Sequence, residues 1–200
     1  MGITFDVFEF FHRTVDKLGW DLKGRNICEL GDQIFFGLRM TQHLKGNTIR
    51  DYFKEDITVR DYFGGLGMNY TSIDLNGKEG ALKLDLGEPI TDVNLLGKFD
   101  IVTNYGVLEH IRKDKQCLDN IHNLTKPRGL MIHSVPTAAR SPDQPHGLRV
   151  YSLDFFKELA KERGYRIVDY VELDCSKEPY NQEYSIWKLL LISLQKGGEA

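Results

Sequence analysis

At 200 residues, with 41% hydrophobic and 28% charged content, the chain suits one domain with a sizeable core. A net charge of −3 gives no support for a nucleic-acid partner held through counterion release. No apolar run is long enough to cross a bilayer, so no membrane partner is expected.

Residues Phe5 to Leu18 carry apolar side chains at Phe5, Phe8, Phe11, Val15 and Leu18, which is helical spacing, and Gly19 follows as a stop. The acids between Met1 and Trp20 and the lack of a basic start do not read as a signal peptide. Asn26 to Leu30 reads as a strand. Gly31 to Asp56 has no clean period. Thr58 to Leu66 reads as a short helix closed by Gly67, and Asn69 to Leu75 as a strand ending in an Asn76-Gly77 turn. Ala81 to Leu86 and Phe99 to Thr103 are further strands, the second ending at Asn104. Lys113 to Leu124 is helical, with Cys117, Leu118, Ile121 and Leu124 on one face. Leu130 to Val135 is a strand broken by Pro136.

Ser152 is a good N-cap for a helix through Arg163, with Gly164 as its C-terminal stop. Arg166 to Glu172 and Ser185 to Leu194 close the chain as two strands. Strands alternate with helices over the first 170 residues, which predicts a mainly parallel sheet with helices on both faces. The connection from Asp174 to Tyr184 has no helical period. A hairpin there puts an antiparallel strand into the sheet.

Cys28, Cys117 and Cys175 are far apart and odd in number. They read as reduced thiols of a cytoplasmic protein, not as a disulfide framework or a zinc site. The six histidines show no metal-ligand spacing, so no metal is expected.

Three acidic residues each end a short apolar run: Glu29 in Asn-Ile-Cys-Glu-Leu-Gly, Asp74 in Tyr-Thr-Ser-Ile-Asp-Leu-Asn-Gly, and Asp85 in Ala-Leu-Lys-Leu-Asp-Leu-Gly. If the runs are neighbouring parallel strands, all three carboxylates emerge on the edge where open α/β sheets bind ligands. Carboxylates there accept hydrogen bonds from ribose hydroxyls, an amino group or an exocyclic amine. The pattern points to an adenosine-containing cofactor.

The order of segments resembles a class I S-adenosylmethionine-dependent methyltransferase of the branch that acts on small molecules. Lys98-Phe-Asp-Ile-Val-Thr-Asn-Tyr-Gly-Val-Leu-Glu-His-Ile111 is similar to that branch's fourth strand, following loop and helix start. Leu124-Thr-Lys-Pro-Arg-Gly-Leu-Met-Ile-His133 resembles its turn and fifth strand. The resemblance spans roughly Asn26 to Lys196. It implies a Rossmann-like, doubly wound α/β fold with a mainly parallel seven-stranded sheet, an antiparallel C-terminal strand and helices on both faces. An N-terminal helical extension, 1–24, would precede a methyltransferase-like domain, 25–200, with an insertion around 35–56.

The resemblance also assigns roles. Asp74 would hold both ribose hydroxyls, with Leu75 beside it; the alternative is a plain turn residue before Asn76-Gly77. Asp85 would take the adenine amino group and Leu86 would offer its backbone N–H to the ring; the alternative is a strand-end or capping acid. Glu29 and Gly31 match the first motif, but Glu-Leu-Gly-Asp-Gln-Ile holds one glycine where the family has several. Gln33 then either bonds the methionine end of S-adenosylmethionine or blocks it. Asn104 and Tyr105 fall where the family flanks the sulfonium. His110 and His146 are the candidate bases, and Arg149 and Tyr151 candidate substrate contacts in a polar loop after the fifth strand. Each of these loop residues has a structural alternative, as a packing or solvated position.

The implied activity is methyl transfer to a small-molecule or saccharide acceptor, since Asn104-Tyr105-Gly106-Val107 replaces the Asn/Asp-Pro-Pro-Tyr type motif of many nucleic-acid and amine methyltransferases. The depleted glycine loop keeps open a non-catalytic methyltransferase-like binding or assembly module. A nicotinamide-dependent Rossmann oxidoreductase needs Gly-x-Gly-x-x-Gly after the first strand, which Glu29 to Phe36 does not supply.

Overall fold

The computed structural model describes residues 2–3, 5–31, 33–35, 58–139, 147–175 and 186–198. Nine strands are described: β1 (Gly2–Ile3), β2 (Asn26–Leu30), β3 (Ile34–Phe35), β4 (Asn69–Asp74), β5 (Leu82–Lys83), β6 (Phe99–Tyr105), β7 (Thr125–Ala139), β8 (Arg166–Asp174) and β9 (Ile186–Gln195). Among the described residues the α-helices are α1 (Phe5–Lys17), α2 (Val59–Gly65), α3 (Asp114–Leu124) and α4 (Leu153–Arg163). Seven strands form one sheet in the order β5-β4-β2-β6-β7-β9-β8, and β1 pairs with β3 apart from it. Neighbours from β5 to β7 run parallel, whereas β9 is antiparallel to both β7 and β8. The expected mixed sheet with a reversed C-terminal strand is therefore present.

Side-chain alternation divides the core into two layers. Ile27, Ile101, Leu130, Ile132 and Leu191 meet α1 and α2 on one face. Cys28, Leu30, Val102, Met131, Leu190 and Ile192 meet α3 and α4 on the other. Central strands covered on both faces bury side chains in both directions, which is why they are largely apolar, with Glu29, Thr103 and Asn104 as buried polar exceptions. Helix α1 buries Val7, Phe10, Phe11 and Val15. Each such side chain contributes about 1.5–3 kcal/mol. Its half-exposed ion pairs, Arg13 and Lys17 to Asp169, add about 0–1 kcal/mol each, so burial is what docks this helix.

Local chemistry sets the element ends. Thr58 forms a reciprocal capping box with Asp61 at the start of α2. Ser152 caps α4 by accepting from Phe155 N–H, and Gly164 closes it in the left-handed region at φ 66°. Two strands differ from expectation. β5 is only Leu82–Lys83, because Asp85 Oδ1 accepts from Gly87 N–H at 2.8 Å and turns the chain away. β7 continues through Pro136. Its pairing with β6 ends at Tyr105↔Ser134, and its register against β9 shifts between Pro136 and Ala138. A missing N–H is tolerated where one neighbour has gone and the ladder is irregular. The insertion expected around 35–56 lies almost wholly outside the described residues.

All three cysteines are free and buried. Burial pushes the Cys28 thiol far up, Cys117 to about 12 and Cys175 to about 11.

Candidate active site

Strand β2 has β4 on one side and β6 on the other, so the chain order reverses there. A crevice forms outside the carboxyl ends of strands at such a point. The ends are level: Leu30 pairs with Ile73 and with Asn104. The chain leaves β2 at Gly31, where φ is 82° and the N–H donates to Ile73 O at 2.8 Å. A Cβ at Gly31 would sit 2.7 Å from Gln33 Nε2 and 2.8 Å from Val107 Cγ2. Only glycine suits both the backbone and the space.

The three acids do not share one setting. Asp74 ends β4; its Oδ1 accepts from Asn76 N–H at 2.8 Å, and Asn76 Oδ1 from Lys78 N–H at 2.6 Å. Leu75 beside it is 64% exposed. Asp85 is exposed two residues past β5, while the Leu86 side chain is buried in the core. Glu29 lies one residue short of the end of β2 and is fully buried. It faces the layer under α1 and α2, where Tyr70 Oη donates to its Oε2 at 2.5 Å. Burial, then the charge of Glu29, pushes the Tyr70 hydroxyl far up. Asp74 and Asp85 thus reach the edge, and Glu29 does not emerge there.

The segment after Asp85 is held from below by Asn120 of α3. Its Oδ1 accepts from Ile90 N–H and from Gln116 Nε2, and its Nδ2 donates to Leu86 O and Glu88 O at 3.0 and 2.8 Å. That uses the full capacity of a buried amide. The role of Asn120 is not legible in the sequence, because its backbone partners lie 30 to 34 residues away and leave no local pattern.

In the loop after β6, Asn104 is committed to the protein. Its Oδ1 accepts from Val107 and Leu108 N–H, and its Nδ2 lies 3.1 Å from His133 Nδ1. Burial pushes His133 down to about 3, so it is neutral. With the amide as donor, Nδ1 accepts and the ring proton belongs on Nε2. Tyr105 points into the same layer as Glu29; its hydroxyl is sealed without a hydrogen-bond partner among the described residues. His110 is exposed at the end of a short 3-10 turn, Leu108–His110, and partial burial lowers its pKa. Next to it Glu109 is fully buried, and burial raises its carboxyl to about 7. Glu109 was also passed over, hidden inside the apolar stretch from Val107 to Ile111.

The strap that follows β7 closes over Glu109. Leu148 N–H donates to Glu109 O, and a Cβ at Gly147 would meet that oxygen at 2.8 Å. Arg149 pairs with Asp114 and donates to Arg112 O, while Tyr151 Oη reaches Asp114 Oδ2 at 3.2 Å. Arg149 and Tyr151, expected as substrate contacts, clamp the strap to the start of α3. His146 lies outside the described residues.

Residues 19–170 match the methyltransferase domain family. The chain belongs to that family. This methyltransferase has the Rossmann-like sheet of the class I enzymes, and solved structures repeat it. The 1,6-didemethyltoxoflavin-N1-methyltransferase of Burkholderia thailandensis, crystallised with 1,6-didemethyltoxoflavin and S-adenosylhomocysteine, superposes with a TM-score of 0.58 at 17% identity, covering 94% of this chain and 77% of that one. The N-methyltransferase NodS of Bradyrhizobium japonicum, with S-adenosylhomocysteine, gives 0.53 at 13% identity over 93% and 86%. The [4+2]-cyclase SpnF gives 0.51 at 13% over 96% and 82%. At these identities the likeness establishes the fold, and SpnF illustrates that one fold carries more than one chemistry. No curated protein matches the sequence.

Proposed function

We propose that this methyltransferase binds S-adenosylmethionine across the carboxyl ends of β5, β4 and β2 and methylates a small-molecule or saccharide acceptor. One observation carries the reading: Asp74 ends β4 and Asp85 lies two residues past its neighbour β5, beside a glycine that permits close approach of backbone. The two oxygens of Asp74 suit a vicinal diol, and Asp85 suits an exocyclic amine. Exposed Leu75 offers apolar surface between them. The Leu86 backbone, fixed by Asn120, is the partner for the ring.

S-adenosylmethionine supplies, when bound, a methyl group already activated on a sulfonium. The protein's task is then to orient donor and acceptor in line and to exclude water. Among the described histidines we assign the base role to His110, which is exposed in the 3-10 turn that follows β6. Its lowered pKa keeps it neutral near pH 7 and able to take an acceptor's proton. The small molecule bound by the B. thailandensis neighbour favours an acceptor of that size.

A methyltransferase-like module that binds no cofactor is the second reading. It has one observation in its favour: the Gln33 amide packs against Gly31, where the family keeps open glycine backbone. Calorimetric titration with S-adenosylmethionine separates the two. The enzyme reading expects saturable binding below millimolar ligand; no heat at millimolar ligand refutes it.

A further inference from the structure

The strap over Glu109 turns hydrophobic side chains outward. Its backbone is pinned at two points: Leu148 N–H donates to Glu109 O at 2.6 Å, and Tyr151 N–H to Pro136 O at 2.8 Å. The polar side chains of this stretch are committed to the protein. Arg149 pairs with Asp114 and donates to Arg112 O, and Tyr151 Oη donates to Asp114 Oδ2. Leu148 and Val150, at alternate positions, are 57% and 49% exposed and join neither core layer. The places against α3 are held by Arg149 and Tyr151, so Leu148 and Val150 stay outside. An isolated exposed leucine is ordinary. A pair held at alternate positions on a pinned segment is a small patch, and packing gives no reason for it.

The order of the strands says what the patch faces. Along the sheet β5, β4 and β2 are followed by β6 and β7. The two pins tie the strap to the loop after β6 and to Pro136 of β7. A cofactor laid across β5, β4 and β2 leaves this next stretch of the edge for the acceptor. The other exposed large hydrophobics lie elsewhere: Leu75 and Leu82 at β4 and β5, Val93 and Leu96 before β6, and Tyr170 on β8. A protein partner needs about 800 Å² on each side, far more than two side chains supply, whereas a small molecule does not.

The chemistry of the patch separates the two acceptor classes. A saccharide is held through its hydroxyls, and a hydroxyl laid on apolar surface loses water without a replacement. On the strap both pinning N–H groups are spent on the protein, and the Arg149 guanidinium is held by Asp114 and Arg112 O. Leucine and valine instead favour the burial of an apolar body. Resting on the methyltransferase reading above, we infer that the acceptor is a small molecule with an apolar ring or chain that lies on Leu148 and Val150, and that saccharides are discriminated against there. The contact is one of binding and orientation. Leu148 bonds the carbonyl of Glu109, one residue before His110, so the patch sets the acceptor beside the loop that carries the assigned base. No proton or group is transferred through the strap.

The test is calorimetric and needs no turnover. Wild type saturated with S-adenosylhomocysteine is titrated with 2-naphthol and indole as apolar probes, and with methyl glucoside and methyl galactoside as saccharide probes. Saturable binding of an apolar probe is expected, and none of either saccharide. The double variant Leu148→Ser/Val150→Ser is expected to weaken that binding about tenfold, and Leu148→Ile/Val150→Ile, which keeps apolar surface, to stay within about threefold of wild type. Both positions are exposed, so the serine variant is expected to bind S-adenosylhomocysteine as wild type does, which separates a lost contact from a folding defect. Apolar-probe binding unchanged in the serine variant overturns the inference. So does preference of wild type for a saccharide, or binding of no probe at all. Failure of wild type to bind S-adenosylhomocysteine is a separate result and overturns the cofactor reading itself.

Discussion

Replacing Glu109 by Gln should change how stability depends on pH. The folded protein holds this carboxyl at about 7 against an ordinary 4.5, with burial as the main cause. A raised pKa means that the native state keeps a proton the unfolded chain has already lost. Between pH 4.5 and 7 the native state binds more protons, so stability falls as pH rises across that window and is level above it. At about 1.4 kcal/mol per pH unit, the shift corresponds to about 3 kcal/mol. Gln keeps the shape and the neutral form of the buried acid but cannot ionise. Urea denaturation of wild type and Glu109→Gln at pH 5 and pH 8 isolates the effect, because other titrating groups cancel in the difference. The variant should gain on wild type by about 2–3 kcal/mol between the two pH values. A difference that is the same at both, or that moves the other way, refutes the claim that Glu109 is forced into a medium hostile to its charge.

Other substitutions test the edge and its supports. Asp74→Ala should weaken S-adenosylhomocysteine binding by more than tenfold with an unchanged melting temperature; unchanged affinity would reduce Asp74 to a turn residue. Asn120→Leu leaves Leu86 O, Glu88 O and Ile90 N–H without their partner. At about 1–3 kcal/mol per orphaned group, urea unfolding should show a loss of at least about 3 kcal/mol, and a loss below 1 kcal/mol would mean that water replaces the amide. Arg128 holds φ 61° inside β7, where the pairing with β6 breaks between Thr125 and Leu130. Arg128→Gly should relieve strain of about 1 kcal/mol and raise the melting temperature by about 2–4 °C; a fall in a thermal melt would contradict this.

The sheet was legible because its central strands are covered twice. Asn26–Leu30 and Phe99–Tyr105 advertise that cover by apolar residues on both faces, interrupted by few polar ones. The helix ends at Thr58, Ser152 and Gly164 were equally local. The orientation of Glu29 was not legible. Side chains alternate along a strand, so an acid one residue before the end faces a packed layer, and nothing in Cys-Glu-Leu-Gly marks where the end falls. The extent of β5 depended on a single Asp85 to Gly87 bond. The Asp114–Arg149–Tyr151 clamp joins α3 to residues more than 30 positions away, and Arg149 and Tyr151 alone read as candidates for solvent or substrate. Gln33 was visible as an oddity in the glycine loop, but the packing of its amide and of Val107 against Gly31 appears only in the fold.

The three cysteines have a practical corollary. Cys28 lies in the middle of the sheet, Cys117 in α3 on one face, and Cys175 just past the end of β8. Thiolate is the reactive form, and burial suppresses it at all three. A thiol-specific alkylating reagent therefore meets almost nothing to modify in the folded protein at neutral pH. Each modification detected by mass spectrometry timestamps the opening of one region. The chain carries its own set of three chronometers, with no engineered label needed.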